Sequence, residues 1–127
     1  MIRDLLAVGL GGALGSMSRY LLSSRVLSGI VWLGFPLGTF SVNALGSLLI
    51  GIVMSLTRQG SFFQMLLMVG FCGGFTTFST FSSDAVKLLR AGDLGAAAAY
   101  IAMSLAVCMA ATALGIWIGT TINKLTA

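Results

Sequence analysis

Histidine and glutamate are both absent from this chain of 127 residues, and only Asp4, Asp84 and Asp93 carry negative charge against seven basic residues. Without histidine there is no Ser-His hydrolytic site and no histidine metal site. Charged residues make up 8% of the chain, where soluble domains carry about 25%. With 57% hydrophobic residues and a mean hydropathy of +1.05, the composition is that of an integral membrane protein. The seven Lys and Arg residues are scattered, so nothing marks a nucleic-acid surface; they read as topology signals. The two cysteines, Cys72 and Cys108, both fall in apolar runs, where they read as small apolar filler rather than a disulfide framework.

Four membrane spans fit one domain over residues 1–127: about 5–22, 35–56, 62–89 and 94–122. The connections are short, which leaves nothing for a soluble domain. The start resembles a signal peptide in outline, with Arg3, an apolar run from Leu5 and small residues at 13–16. The run continues to Tyr20, and cleavage would discard Arg19, so a retained span is expected. Pro36, the only proline, stands where a second helix would begin. Trp32, Phe35 and Trp117 stand near span ends, where aromatic belts form.

The third span contains the run GFCGGFTTFSTFSS at residues 70–83. Loose backbone and unpaired hydroxyls are costly in hydrocarbon, and are tolerated only inside protein or beside a wet cavity. The run therefore predicts a helix broken near its centre, the kind of break that marks ion and substrate sites. The bland alternative is a small-residue packing face. Gly73, Gly74 and the Thr76–Thr77 pair are the expected interruption. Gly11 and Gly15 in the first span, and Gly115 and Gly119 in the fourth, form GxxxG pairs suited to close packing. The glycines of the first span lack the GxGxxG spacing of a nucleotide loop.

Two polar stripes run beside that break. Thr39, Asn43, Ser47, Gly51 and Ser55 recur every four residues, as do Tyr100, Ser104, Cys108 and Thr112, so each set shares a slowly drifting helical face. Interhelical hydrogen bonding explains one such stripe; two stripes and a hydroxyl-rich break together suggest a polar path. The path offers donors, namely the Asn43 amide and several hydroxyls, and no intramembrane carboxylate. Phe78 and Phe81, three apart, would add electropositive ring edges to it. Donors without carboxylates suit a small anion. Arg19 reads either as a snorkelling end residue or as part of a vestibule or interface.

The motifs themselves carry a resemblance. GGFTTFSTFSS at residues 73–83, VNALGSLLIG at 42–51, GGALGSMSRY at 11–20 and the Tyr100/Ser104 pair resemble the CrcB or Fluc family of bacterial fluoride channels over the whole chain. The resemblance implies a passive channel of the bacterial inner membrane, not an enzyme, which exports toxic fluoride through two pores of an antiparallel homodimer. It implies that the ring edges of Phe78 and Phe81 and the side chain of Asn43 contact fluoride. Ser79, Thr80, Tyr100 and Ser104 would line the polar track, and the backbone carbonyls of Gly73 and Thr76 would hold a central structural sodium ion. The rival reading is a small multidrug-resistance transporter, which needs a glutamate in its first span; this chain has none. A structural membrane subunit would not need the polar stripes.

Charge balance bears on assembly. Arg3, Arg58 and Lys124 fall on one side of a four-span topology, and Arg25, Lys87 and Arg90 on the other, joined there by Arg19 if it snorkels. So small a bias predicts insertion in both orientations, and hence an antiparallel, dual-topology homodimer.

Overall fold

The computed structural model describes residues 1–127. Four helical stretches long and apolar enough to cross a membrane, Ile2–Val26, Leu37–Leu56, Gln64–Arg90 and Leu94–Thr126, make this a multi-pass membrane protein. The first is the helix α1 (Ile2–Tyr20), which widens into i→i+5 bonding over Leu21–Val26. A two-residue hairpin follows, β1 (Val31–Trp32) against β2 (Phe35–Pro36), then α2 (Leu37–Leu56). The third stretch opens with i→i+5 turns over Gln64–Cys72 and a short α-helical turn over Gly73–Phe75; these residues, 64–75, are α3. Thr76 and Thr77 then take extended backbone (ψ 157° and 112°) before α4 (Phe78–Arg90). The fourth is α5 (Leu94–Thr126), whose first turn is capped by the Asp93 carboxylate accepting from the Ala96 amide. Pro36 precedes the second helix as its cap residue rather than entering its first turn, because the proline closes the hairpin ladder opposite Val31.

Glycine decides which helices pair. A Cβ at Gly11 would overlap the carbonyl oxygen of Leu66, and one at Gly15 the carbonyl oxygen of Phe71, so α1 lies backbone to backbone against α3. Gly51 and Gly115 meet in the same way across α2 and α5, and Gly119 sits against Ser55. Small residues bring backbones close enough for dispersion to hold helices together in lipid, where no hydrophobic effect drives them. The molecule is thus two seamed pairs, α1 with α3 and α2 with α5.

The α4 helix belongs to neither seam. It packs through a small cluster of Phe81 and Ala85 against Tyr100 of α5 and Phe35 of the hairpin. Phe35 and Tyr100 are wholly buried, with ring centroids 5.0 Å apart. Phe35 is therefore a core residue and not part of an interfacial belt: β2 turns its ring inward onto the fourth span.

Candidate functional site

The extended link Thr76–Thr77 is held from three sides. Asn43 of α2 pairs with it as a neighbouring strand would: its Nδ2 donates to Thr77 O (3.0 Å) and its Oδ1 accepts from Thr77 N (2.7 Å). Gly46, one turn further along α2, has no Cβ because Thr76 Cγ2 occupies that space. Thr77 Oγ1 accepts from the Thr80 amide (3.2 Å) and so caps the new helix. On the α1 side, the Gly74 carbonyl accepts from Arg19 Nε (3.1 Å) and from Ser16 Oγ (3.5 Å). Arg19 therefore reaches sideways onto the third span.

These bonds divert the amides that an unbroken helix would spend on its own carbonyls. The Thr77 amide goes to Asn43 and not to Gly73 O, and the Thr80 amide goes to its cap and not to Thr76 O. The carbonyls of Gly73 and Thr76 are thereby left as oxygen donors near the C-terminal end of a half-helix, where the backbone dipole is negative. Gly73 is exposed, and a Cβ there would meet nothing. Carbonyl oxygens are the kind of donor a hard monovalent cation takes. One chain brings two of them to the link.

Beside the link lies a cavity of about 280 Å³ whose walls include Asn43, Ser47, Thr77, Phe78, Phe81 and Ser104. The rings of Phe78 and Phe81 are 5.5 Å apart, and Phe81 lies 5.1 Å from Tyr100. Phe78 is 75% exposed. Ser104 is 6% exposed and its hydroxyl has no hydrogen-bond partner. Asn43 spends one amide proton on Thr77 and its second makes no bond within the chain. Ser79 and Thr80 both lie within hydrogen-bond distance of Thr77 Oγ1, at 3.2 and 3.0 Å, so the link and the first turn of α4 form one hydroxyl cluster. The N-terminus of α4 adds the positive end of its dipole to the same place.

The two polar stripes each divide in the middle. Thr39, Asn43 and Ser47 face α4 or the cavity, whereas Gly51 and Ser55 serve the seam with α5, where Ser55 Oγ donates to Ile116 O (3.3 Å). Likewise Tyr100, Ser104 and Cys108 belong to the site half of α5, while Thr112 bonds its hydroxyl within its own helix (Cys108 O, 3.1 Å) and lays its carbonyl against Gly51 in the seam. Interhelical packing thus claims the far half of each stripe.

Two site residues were not expected. Thr77 is the cap and hub of the hydroxyl cluster. Asp84, 14% exposed, accepts from Thr39 Oγ1 (2.9 Å) and from Tyr100 OH (3.4 Å), with Lys87 Nζ at 3.8 Å. A carboxylate therefore closes one end of the Tyr100–Phe81 row, inside the span, in place of a track made of donors alone. The recurrence of Thr39 and Tyr100 on the two stripes was the signal available in the sequence; the missing step was that α4 carries Asp84 between them.

Comparison with known proteins agrees with this architecture. A family model described as CrcB-like protein, Camphor Resistance (CrcB), matches residues 6–116. A protein of Cereibacter sphaeroides is 48% identical over 113 residues, covering 87% of this chain and 89% of its own length. One from a Ruegeria species is 44% identical over 117 residues (91% and 93%), and one from Methylobacillus flagellatus is 41% identical over 127 residues (97% and 96%). All three bear the name fluoride-specific ion channel FluC. With four apolar spans, a family model matched over most of its length, and relatives this close across nearly the whole chain, the protein belongs to the CrcB-like family.

Proposed function

We propose that this chain is a fluoride-selective passive ion channel of the bacterial inner membrane, in which Asn43, Phe78, Phe81, Ser79, Thr80, Tyr100 and Ser104 line the path. The relatives' names supply the ion; the observation that carries the assignment to this site is the Ser104 hydroxyl. A buried hydroxyl without a partner costs about 1–3 kcal/mol, and Ser104 has that cost on the wall of a cavity shared with the free N–H of Asn43. An anion entering the cavity satisfies both. The ring edges of Phe78 and Phe81 add electropositive C–H groups, and the N-terminus of α4 adds its dipole. Small size is favoured because a dehydrated ion needs all these donors at short range. Arg19, on the α1 side of the link, adds a positive charge to the approach.

The active unit in this reading is an antiparallel homodimer with two pores, and the interruption at Thr76–Thr77 is a functional break in the third span. The balanced Lys and Arg count supports insertion both ways. The exposure of Phe78 and Gly73 supports a second copy covering this face. Two copies related by a two-fold axis in the membrane plane would bring four carbonyls, Gly73 and Thr76 of each, to one sodium ion. Sodium bound there would supply a fixed positive charge at the centre of the dimer.

Fluoride efflux from liposomes containing only this protein tests the function. Rapid, fluoride-dependent efflux is expected; a membrane that stays tight to fluoride would reject it. A C-terminal reporter active on one side of the membrane tests topology. Comparable signal from cytoplasmic and periplasmic reporters is expected, and signal from one side alone would reject the antiparallel dimer. Two or three lysines added at the C-terminus should drive most copies to one orientation and cut fluoride flux. The small multidrug-resistance reading lacks its essential first-span glutamate.

A further inference from the structure

The loop between the first two spans is a built object. Val31 pairs with Pro36 and Trp32 with Phe35, and the Leu37 amide donates to Ile30 O (2.9 Å) to close the ladder. Leu33 and Gly34 form the tip, both with positive φ (53° and 83°), as a two-residue hairpin turn of this hand requires. Gly34 suits that conformation; leucine does not, and asparagine or aspartate adopts it far more readily. The strained leucine is also exposed to 56%, beside Val31 at 62% and Trp32 at 45%. No charged residue stands between Arg25 and Arg58. A hairpin in water would be expected to carry a polar tip; this one holds an apolar side chain there against its backbone preference.

We propose that the hairpin is a membrane anchor: its exposed apolar side chains, Val31, Trp32 and Leu33, insert into the boundary between lipid headgroups and acyl chains. Lipid is the occupant because the hairpin joins two membrane spans, ending one at Val26 and starting the next at Leu37. Its apolar surface is therefore continuous with lipid-facing helix surface. An indole beside the tip suits the interface, where an amphipathic ring has one side apolar and one side wet. The inner side of the same hairpin is fixed to the protein: Phe35 packs at a tilt against Tyr100, Trp32 stands edge-on to Phe35 at 5.8 Å, and Gly34 lies so close to Ala96 that a Cβ there would be 2.9 Å from the alanine methyl. The anchor thus sets the depth of Phe35 and Tyr100 relative to the bilayer surface. The inference rests on the membrane topology, not on the identity of the transported ion.

Trp32 and Trp117 are the only tryptophans, so a Trp117→Phe protein reports on the hairpin alone. Reconstituted in phosphatidylcholine vesicles, its fluorescence should be quenched more by lipids brominated near the headgroup than by lipids brominated near the chain end, and only weakly by aqueous acrylamide. Adding Leu33→Asp keeps a residue that tolerates positive φ but places a charge at the tip. It should lower the headgroup-bromine quenching by about half and raise acrylamide quenching. Strong acrylamide quenching without bromine quenching in the Trp117→Phe protein would overturn the proposal, because the tip would then lie in water. Quenching by neither agent would also overturn it, with the hairpin covered by protein, as would bromine quenching that Leu33→Asp leaves unchanged.

Discussion

The two halves of the third span are built on opposite principles. Residues 64–75 lie against α1 through missing side chains: Gly11, Gly15, Gly70 and Gly74 each meet backbone atoms of the opposing helix where a Cβ would sit. Phe78–Arg90 is attached to the rest of the chain by rings and hydroxyls, and turns Phe78 outward. Along the seam the first half has no room to change and offers only backbone; the second has hydroxyl donors, a carboxylate and an exposed ring. The lesson is a division of labour along one span: a seam that fixes position, and beyond the link a helix free to present chemistry. The backbone bonds that the link gives up are what join the two.

The largest effect should come from breaking the seam. Gly11→Ala puts a methyl on the Leu66 carbonyl and is expected to destabilise the fold by about 3 kcal/mol, the upper range for overpacking. Gly73→Ala, on the open face, should change protomer stability by less than about 0.5 kcal/mol; thermal unfolding of both in detergent, followed by circular dichroism, measures the contrast. Next is the link itself. Asn43→Leu orphans the N–H and C=O of Thr77 and should cost about 1–3 kcal/mol, while also slowing fluoride flux sharply. Asn43→Leu flux equal to wild type would separate the prop from the path. Third, Phe78→Ile removes an exposed ring edge worth about 0.5–1.5 kcal/mol. Flux should drop up to about tenfold with no shift in the unfolding midpoint, whereas Phe81→Ile, in the cluster with Tyr100, should lower both. The smallest effect belongs to the far end of the second half: Thr39→Val removes one donor to Asp84 and should cost about 1 kcal/mol of stability, leaving Tyr100 as the remaining hydroxyl donor.

Much of this division was legible in the sequence, because glycine and hydroxyl periodicity reports directly which helix faces must be thin and which must be polar. The four spans, the small-residue seams and the Phe78–Phe81 row follow from spacing alone. What spacing leaves out is partner choice. The two GxxxG pairs are equivalent as patterns, and nothing in them says that Gly11 meets Leu66 while Gly115 meets Leu48. Asp84 was obscure for the same reason: it stands 45 residues from Thr39 and 16 from Tyr100, and only the turn at the link aims α4 between them. The hairpin is hidden in the sequence because Leu33 at positive φ contradicts its own local preference. The sequence offers Asn43 as a donor for an ion; in the fold its amide is a structural element of the link, and one side chain could serve both because an amide carries two protons and an oxygen.

The seams interleave, first helix with third and second with fifth, and this has a consequence for the order of synthesis. The α1 helix enters the membrane first, but its partner begins only at Gln64. Until that segment arrives, the glycine face of α1 lies against lipid and Arg19 has no carbonyl to bind. The α2 helix waits in its turn, because α5 is the last to be made. A chain that has left the ribosome only as far as Gly60 holds two helices with neither seam closed and Arg19 without its carbonyl partner. Each pair therefore locks only as the second half of the chain is threaded in.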